Sequence, residues 1–311
     1  TGYAYSETTD MESMLRAAKT AAQIADSPNS KHKEIKISKE VKTNNHYPLI
    51  KGWADTDVTY KIKYLNHLNE QIQKRSIYVE KANARIADSI SDILFFNSLG
   101  ETFHDVRPLV SISAGAVMLK AGRRENGTVS RSFRCGFELL SESLMDEIAD
   151  ELIARTEILF EATRPKGGIM PVVMGAGGSG ILLHEAVGHA FEADFNRKGA
   201  SIFSDKMGKK VCDSSINIVD DGTLLANRGS CNWDDEGVPG KKTYMVKDGI
   251  LNSYLHDRIS ARYYKVAPTG NGRRESFRYM PIPRMRATYM EAGPYCNDEI
   301  IKSVKRGIYV D

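Results

Sequence analysis

Two histidines and a glutamate stand close together in Ile181-Leu-Leu-His184-Glu185-Ala-Val-Gly188-His189-Ala-Phe-Glu192-Ala-Asp194. Among such apolar neighbours each imidazole and the carboxylate must find a partner, and a metal ion supplies one. In the common HExxH arrangement both histidines lie one helical turn apart and bind zinc, while the glutamate acts as general base on the activated water. Here the spacing is one residue longer, HExxxH. At about 100° per residue, positions five apart differ by about 140° around an ideal α-helix, so His189 falls under Glu185 and not under His184. One ion can meet both imidazoles only where the helix widens into a π-type turn or loses its regularity, and Gly188 lowers the cost of that distortion. The spacing therefore predicts an irregular turn at Val187–His189. Its alternative is a pair of histidines satisfied by backbone, with no metal.

The approach to this segment offers a rival chemistry. Gly175-x-Gly177-x-x-Gly180 has the form of the dinucleotide fingerprint GxGxxG, with Asp194 somewhat under twenty residues further on. Against a nucleotide, no second or third βαβ unit follows, and a His-Glu pair has no purpose at a pyrophosphate. Two acidic stretches, Asp220-Asp-Gly-Thr223 and Asp234-Asp-Glu-Gly237, lack EF-hand spacing and read as solvated turns rather than calcium or magnesium sites. The loop Pro268-Thr-Gly270-Asn-Gly272-Arg-Arg-Glu-Ser276 carries Arg273 and Arg274, which suit either a bound carboxylate or phosphate or a pairing with the acidic turns.

The elements that must position these residues show in the periodicity. A helix is predicted from Met11 to about Ala25, entered through Thr9-x-x-Glu12 as a capping box, with Met11, Met14, Leu15, Ala18, Ala22 and Ala25 as its apolar stripe. Pro28 to Lys51 is a polar, Lys-rich connection. A second helix spans Val58–Lys74 behind Asp57. Between Ile77 and Leu140 the pattern changes to short antiparallel strands punctuated by Gly100, Gly115, Gly122 and Asn126-Gly127. A third helix starts at Ser143 and is broken by Arg164-Pro-Lys-Gly-Gly168. Beyond it come a short buried strand at Ile169–Met174, a helix from Ile181 to Glu192, and a hairpin of Thr243–Val246 and Ile250–Leu255 about Asp248-Gly249. The fold class expected is α+β in two domains. Residues 1–165 form an N-terminal domain of helices and antiparallel strands, and 166–311 a mixed sheet and hairpin domain carrying the irregular HExxxH helix.

The 311 residues carry 43 Lys and Arg against 40 Asp and Glu, a net charge of +3. So small an excess implies neither a nucleic-acid groove nor an electrostatic hold on membrane. Four scattered cysteines, Cys135, Cys212, Cys231 and Cys296, fit a reducing compartment. With no long apolar run, a cytoplasmic protein is expected. The start at Thr1 and the stop after Gly307-Ile-Tyr-Val-Asp311 suggest that both ends are clipped.

Three stretches in order, GSGILLHEAVGHAFEADFNRKGA (178–200), DDGTLLANRGSCNWDDEGVP (220–239) and APTGNGRRESFRYMPIPRMRATYM (267–290), resemble the TldD/PmbA family of metalloproteases, long labelled modulators of DNA gyrase. An intact HExxxH is similar to the TldD kind of subunit, since the PmbA (TldE-like) partner lacks it. The resemblance implies a two-domain α/β build and zinc held by His184 and His189 with Glu185 as general base. It also implies hydrolysis of extended or unfolded peptides, and a homodimer or a heterodimer with a PmbA/TldE-like subunit. The family's third ligand is a cysteine near the C-terminal end, and none of the four here falls in a matching segment. Either that ligand lies beyond residue 311 or Glu192 or Asp194 completes the site. The Thr243–Leu255 hairpin is the strand edge expected to hold the peptide. A dinucleotide-binding protein and a non-catalytic modulator of a topoisomerase or toxin system are the alternatives.

Overall fold

The computed structural model describes residues 1–25 and 39–310, so the first part of the Lys-rich connection, up to residue 38, lies outside the described residues. Helix α1 (Met11–Ala25) has the predicted bounds, but its first turn is capped by Asp10, whose carboxylate accepts from Ser13 N at 2.8 Å, and not by Thr9. Its stripe is not core: Met11, Met14 and Leu15 are exposed. Strand β1 (Lys39–Glu40) adds in parallel to the start of a larger sheet. Helix α2 (Val58–Arg75) starts at Asp57, which accepts from Thr59 N.

The predicted short strands are in fact three long ones, β2 (Val79–Phe96), β3 (Glu101–Lys120) and β4 (Arg123–Phe133), paired antiparallel with β3 central. Only Gly100 and Gly122 make turns. Gly115 and Gly127 lie within strands, and Gly127 is there for closeness: a Cβ on it would stand 1.8 Å from Thr156 Oγ1. Thr156 belongs to α3 (Glu142–Glu157), capped by Ser141 through Leu144 N, so the missing side chain lets that helix lie against the sheet.

Along β3 the buried residues Val110, Ile112, Ala114, Ala116 and Met118 alternate with less buried ones, save for the buried Gly115, in the period-two pattern of a sheet covered on one face. They meet Leu68 and Ile72 of α2 and Met145, Ile148, Ala149 and Leu152 of α3 in one core. Full burial of such a side chain contributes roughly 1.5–3 kcal/mol, so the sheet and two helices stand as a unit.

The second half begins with β5 (Val172–Met174), followed by α4 (Ser179–Leu183) and α5 (Ala193–Arg197). Then come β6 (Ile218–Asp221), β7 (Lys242–Lys247) and β8 (Ile250–Leu251). They are followed by α6 (Arg258–Tyr264), β9 (Gly272–Arg273), β10 (Ile282–Pro283), β11 (Thr288–Met290), α7 (Asn297–Ser303) and β12 (Ile308–Val310). Strands β11, β6, β7 and β8 form an antiparallel sheet in that order, β9 pairs with β10, and β5 pairs in parallel with β12. The expected buried strand at Ile169–Met174 is instead exposed, with Val172 and Met174 about half open to solvent and Ile169 fully so. The hairpin turns about Asp248-Gly249 as predicted, with φ of 52° at Asp248 and 74° at Gly249 suiting the primed turn, but its second strand stops at Leu251 and does not run on to Leu255. A second core of Phe191, Phe203, Ile218, Met245, Val246, Leu251, Tyr254, Leu255 and Met285 lies under this sheet.

The halves are tied by buried charge and stacked rings. Arg107 donates to Asp105 and Asp235, each at 2.7 Å, and to the Trp233 carbonyl at 2.9 Å, while the Phe103 and Trp233 rings stack at 4.5 Å. The α+β class and two-part layout agree with expectation.

Candidate metal centre

Regular helix lasts only to Leu183. His184–Gly188 form a π-helical turn and His189–Phe191 a 3-10 turn. The irregularity starts three residues before the predicted Val187, because the widened turn begins at the first histidine. A π-turn makes positions i and i+5 near neighbours. Accordingly the His184 and His189 rings face each other edge to plane, with centroids 4.8 Å apart and planes at 89°. Glu185 joins them: one ligand atom from each of the three lies within 4.8 Å of the others. His184 and Glu185 are exposed and His189 is half-buried. Two imidazoles gathered this closely, with a carboxylate beside them, are side chains of the types that hold and serve a zinc ion.

The turn is fixed from its far side. Phe191 is fully buried and stacks on Phe203 at 4.6 Å, while Leu255 takes Phe191 and Ala193 into a backbone bridge with bonds of 2.9 and 3.0 Å. Glu192 has no exposed surface. Its Oε1 lies 3.1 Å from His189 Nδ1, and its Oε2 accepts from Arg284 Nη1 at 2.8 Å. Burial pushes this carboxyl up to about 7, with Arg284 pulling it down and Asp194 adding to the rise. Neither Glu192 nor Asp194 is among the converging donors, and neither is any of the four cysteines, all free.

Residues 167–311 match the family model described as the PmbA/TldA metallopeptidase C-terminal domain, and residues 51–160 match that of the central domain. This chain belongs to the PmbA/TldD family. It is similar to the metalloprotease TldD homolog of Haemophilus influenzae, 36% identical over 314 residues that cover 99% of this chain and 65% of that protein. The zinc metalloprotease TldD homolog of Saccharolobus solfataricus is 28% identical over 294 residues, covering 90% of this chain and 60% of its own. The chain thus spans just under two thirds of the length of the curated relatives it matches. TldE from Thermococcus kodakarensis shares the fold, with a TM-score of 0.76, 18% identity, and coverage of 100% of this chain and 69% of that one.

The other two stretches that carry the PmbA/TldD resemblance turn out to be scaffold. The acidic turns are not solvated: Asp220, Asp221 and Asp234 are at most 4% exposed. Asp220 accepts from Arg286 N at 2.8 Å, Thr288 Oγ1 at 2.7 Å and Asn271 Nδ2 at 2.6 Å, and Asp234 accepts from the backbone of Glu236, Val238 and Gly272. Donors from the glycine loop, from Arg286 and Thr288 and from the turn's own backbone make burial tolerable. The glycine loop is pinned to the acidic turn through backbone groups: Asp235 accepts from Arg274 N at 2.9 Å, while the Arg274 guanidinium donates to the Asp235 carbonyl and the Arg273 guanidinium to the Met285 carbonyl at 3.2 Å, neither in an ion pair with a carboxylate among the described residues.

The residues missed in the sequence are Arg284 and Met285, and the only signal for them was their place in Pro283-Arg-Met-Arg286. The GxGxxG segment leaves β5, whose only strand partner among the described residues is β12, and enters a helix of five residues. That is not a doubly wound sheet. A cleft of about 690 Å³ between Ser91–Phe95 and Arg274–Phe277 contains none of His184, Glu185 and His189. The hairpin expected to hold a peptide has no open edge, since Leu251 N donates to Lys209 O and Gly208 N to Leu251 O.

Proposed function

We propose that the protein is a zinc-dependent metallopeptidase of the TldD kind, acting on extended or unfolded peptides. The observation that carries this reading is the π-turn, which brings His184, Glu185 and His189 within 4.8 Å of one another. The relatives' names, metalloprotease in one and zinc metalloprotease in the other, support the same chemistry.

His184 and His189 would hold the ion. Bound zinc supplies a Lewis acid that polarises the scissile carbonyl and acidifies a water molecule towards neutrality. Glu185 takes the proton of the attacking water and delivers it to the leaving amine, a role worth about 10²–10⁴-fold in rate. Its exposed position beside the histidines leaves it free to do both.

An open site also suits a polymer lying across the surface better than a small molecule, which needs enclosure. The exposed strand β5 runs directly into the Gly175–Gly180 turn, with its second edge unpaired among the described residues, and offers main-chain groups to such a polymer. A cytoplasmic location, a division at residue 165, and a dimer with a second copy or a PmbA/TldE-like subunit complete the reading. No described helix is long and apolar enough to cross a membrane.

Glu185→Gln tests the reading in the intact protein, assayed on unstructured peptides with and without a TldE-like partner. Hydrolysis should fall by at least about 100-fold with zinc content unchanged. Retained hydrolysis excludes Glu185 as the base.

A further inference from the structure

Glu192 is an ionisable group with no exposed surface, placed one residue after the helical segment that bears the histidines. A buried carboxylate is costly unless every lone pair is used. Here both oxygens are engaged, and by different elements. Oε1 faces His189 Nδ1 at 3.1 Å, and Oε2 takes Arg284 Nη1 at 2.8 Å.

Arg284 is itself held from three sides. Its Nη1 also donates to the Pro283 carbonyl at 2.8 Å, its backbone N donates to Asn271 O at 2.9 Å, and its carbonyl accepts from Asn271 Nδ2 at 3.0 Å. Asn271 in turn donates to the buried Asp220 at 2.6 Å. One hydrogen-bonded chain therefore runs Asp220, Asn271, Arg284, Glu192, His189, and it joins the acidic turn, the glycine loop and the histidine helix.

We infer that Glu192 is the positioning residue of the metal centre: it keeps the proton of His189 on Nδ1, so that Nε2 is the atom offered to the metal, and Arg284 holds Glu192 in place to do so. This rests on the metal-site reading above but adds to it, and it removes Glu192 from the possible ligands. An imidazole has two nitrogens, and which one can bind a metal is decided by the hydrogen bond the other makes. A carboxylate on Nδ1 also makes the ring more basic and fixes its plane. The exposed His184 has no such partner among the described residues, so the two histidines are unequal: one is prearranged by a carboxylate and the other is not.

Two measurements on the intact protein test this, and the first needs no metal. The histidine ring nitrogens are read by NMR in ¹⁵N-histidine-labelled, metal-free protein at mildly alkaline pH. The His189 resonances, assigned by their loss in His189→Gln, should show the Nδ1–H tautomer in wild type and a shift towards Nε2–H in Glu192→Gln. The second is a zinc titration against a competing chelator. Glu192→Gln should weaken zinc about 10–100-fold, the usual range for losing such a partner, and Arg284→Lys should weaken it less.

Circular dichroism and thermal unfolding accompany both variants. If Glu192→Gln does not fold, Arg284→Lys, which keeps the charge but loses the fixed fork, carries the test. An Nε2–H tautomer in wild type overturns the inference. So does a folded Glu192→Gln or Arg284→Lys whose His189 tautomer and zinc affinity both match wild type. A wild-type protein that binds no zinc but shows the Nδ1–H tautomer, lost in Glu192→Gln, would sink the metal reading and leave the positioning of His189 by Glu192 standing.

Discussion

Gly188 and Met285 are packed so closely that a Cβ on the glycine would lie 2.4 Å from the methionine Sδ. Gly188 closes the π-turn and Met285, 2% exposed, is the floor beneath it. A methyl group at 188 must therefore displace a core side chain or straighten the turn, and either outcome disturbs the spacing of the histidines. Gly188→Ala should cost about 1–3 kcal/mol in thermal or urea unfolding, the range for overpacking a filled core. Combining it with Met285→Ala should cost clearly less than the sum of the two single changes, because the second removes the obstacle met by the first. Additive effects would mean that the two residues do not share a space.

A second prediction concerns the buried acidic turn. Asp234 is 0% exposed and accepts from three backbone N–H groups, of Glu236 at 2.9 Å, Val238 at 2.8 Å and Gly272 at 2.9 Å. Asp234→Asn turns one acceptor oxygen into a donor facing a donor, and should destabilise by about 3 kcal/mol. Asp248→Asn, at an exposed hairpin turn with φ of 52°, should stay within about 0.5 kcal/mol, since asparagine also accepts that conformation. Urea denaturation of both variants settles the contrast, and equal stabilities would show that the turn at Asp234 is as solvated as its sequence suggests.

The contrast between these turns marks what the sequence could convey. Local signals were legible where the chain's own neighbours decide the outcome: the cap at Asp57, the hairpin at Asp248-Gly249, and the need for an irregular turn between His184 and His189. Residues whose state is set by distant partners were not. Asp220 reads as a surface turn because all its donors come from Asn271, Arg286 and Thr288, decades of residues away, and Asp234 because the local donors Glu236 and Val238 form an ordinary turn that only the distant Gly272 closes over. Gly115 and Gly127 read as breaks because their neighbours across the fold, Asn83 and Thr156, are invisible in local spacing. The stripe of α1 has the period of a core helix, yet no residue of it is buried here, so amphipathic spacing alone did not say what would cover it.

The third prediction is a dependence of stability on pH. His256 is 3% exposed, its Nδ1 has no hydrogen-bond partner among the described residues, and burial lowers its pKa from 6.5 to about 4, with Asp257 opposing. The folded state therefore resists a proton that the unfolded chain accepts. The contribution of the neutral ring is complete above pH 6.5 and is lost as pH falls from there towards 4, by roughly 3 kcal/mol in all. Glu192 and Glu236, both pushed up to about 7 by burial, act in the opposite sense, their contribution falling as pH rises through the same range. The difference between wild type and His256→Phe isolates the histidine. Melting temperatures between pH 7 and pH 4.5 should fall more steeply in wild type than in the variant, and parallel curves would contradict a buried neutral imidazole.

His184 and His189, brought together by the π-turn, are proposed to hold one zinc ion. X-ray absorption at the zinc edge of the loaded intact protein, with metal content of His184→Ala and His189→Ala measured alongside, tests it most directly. Imidazole nitrogens at about 2.0–2.1 Å from zinc and a loss of bound metal in each variant are expected. Zinc without imidazole in its shell, or full metal content in either variant, would contradict it.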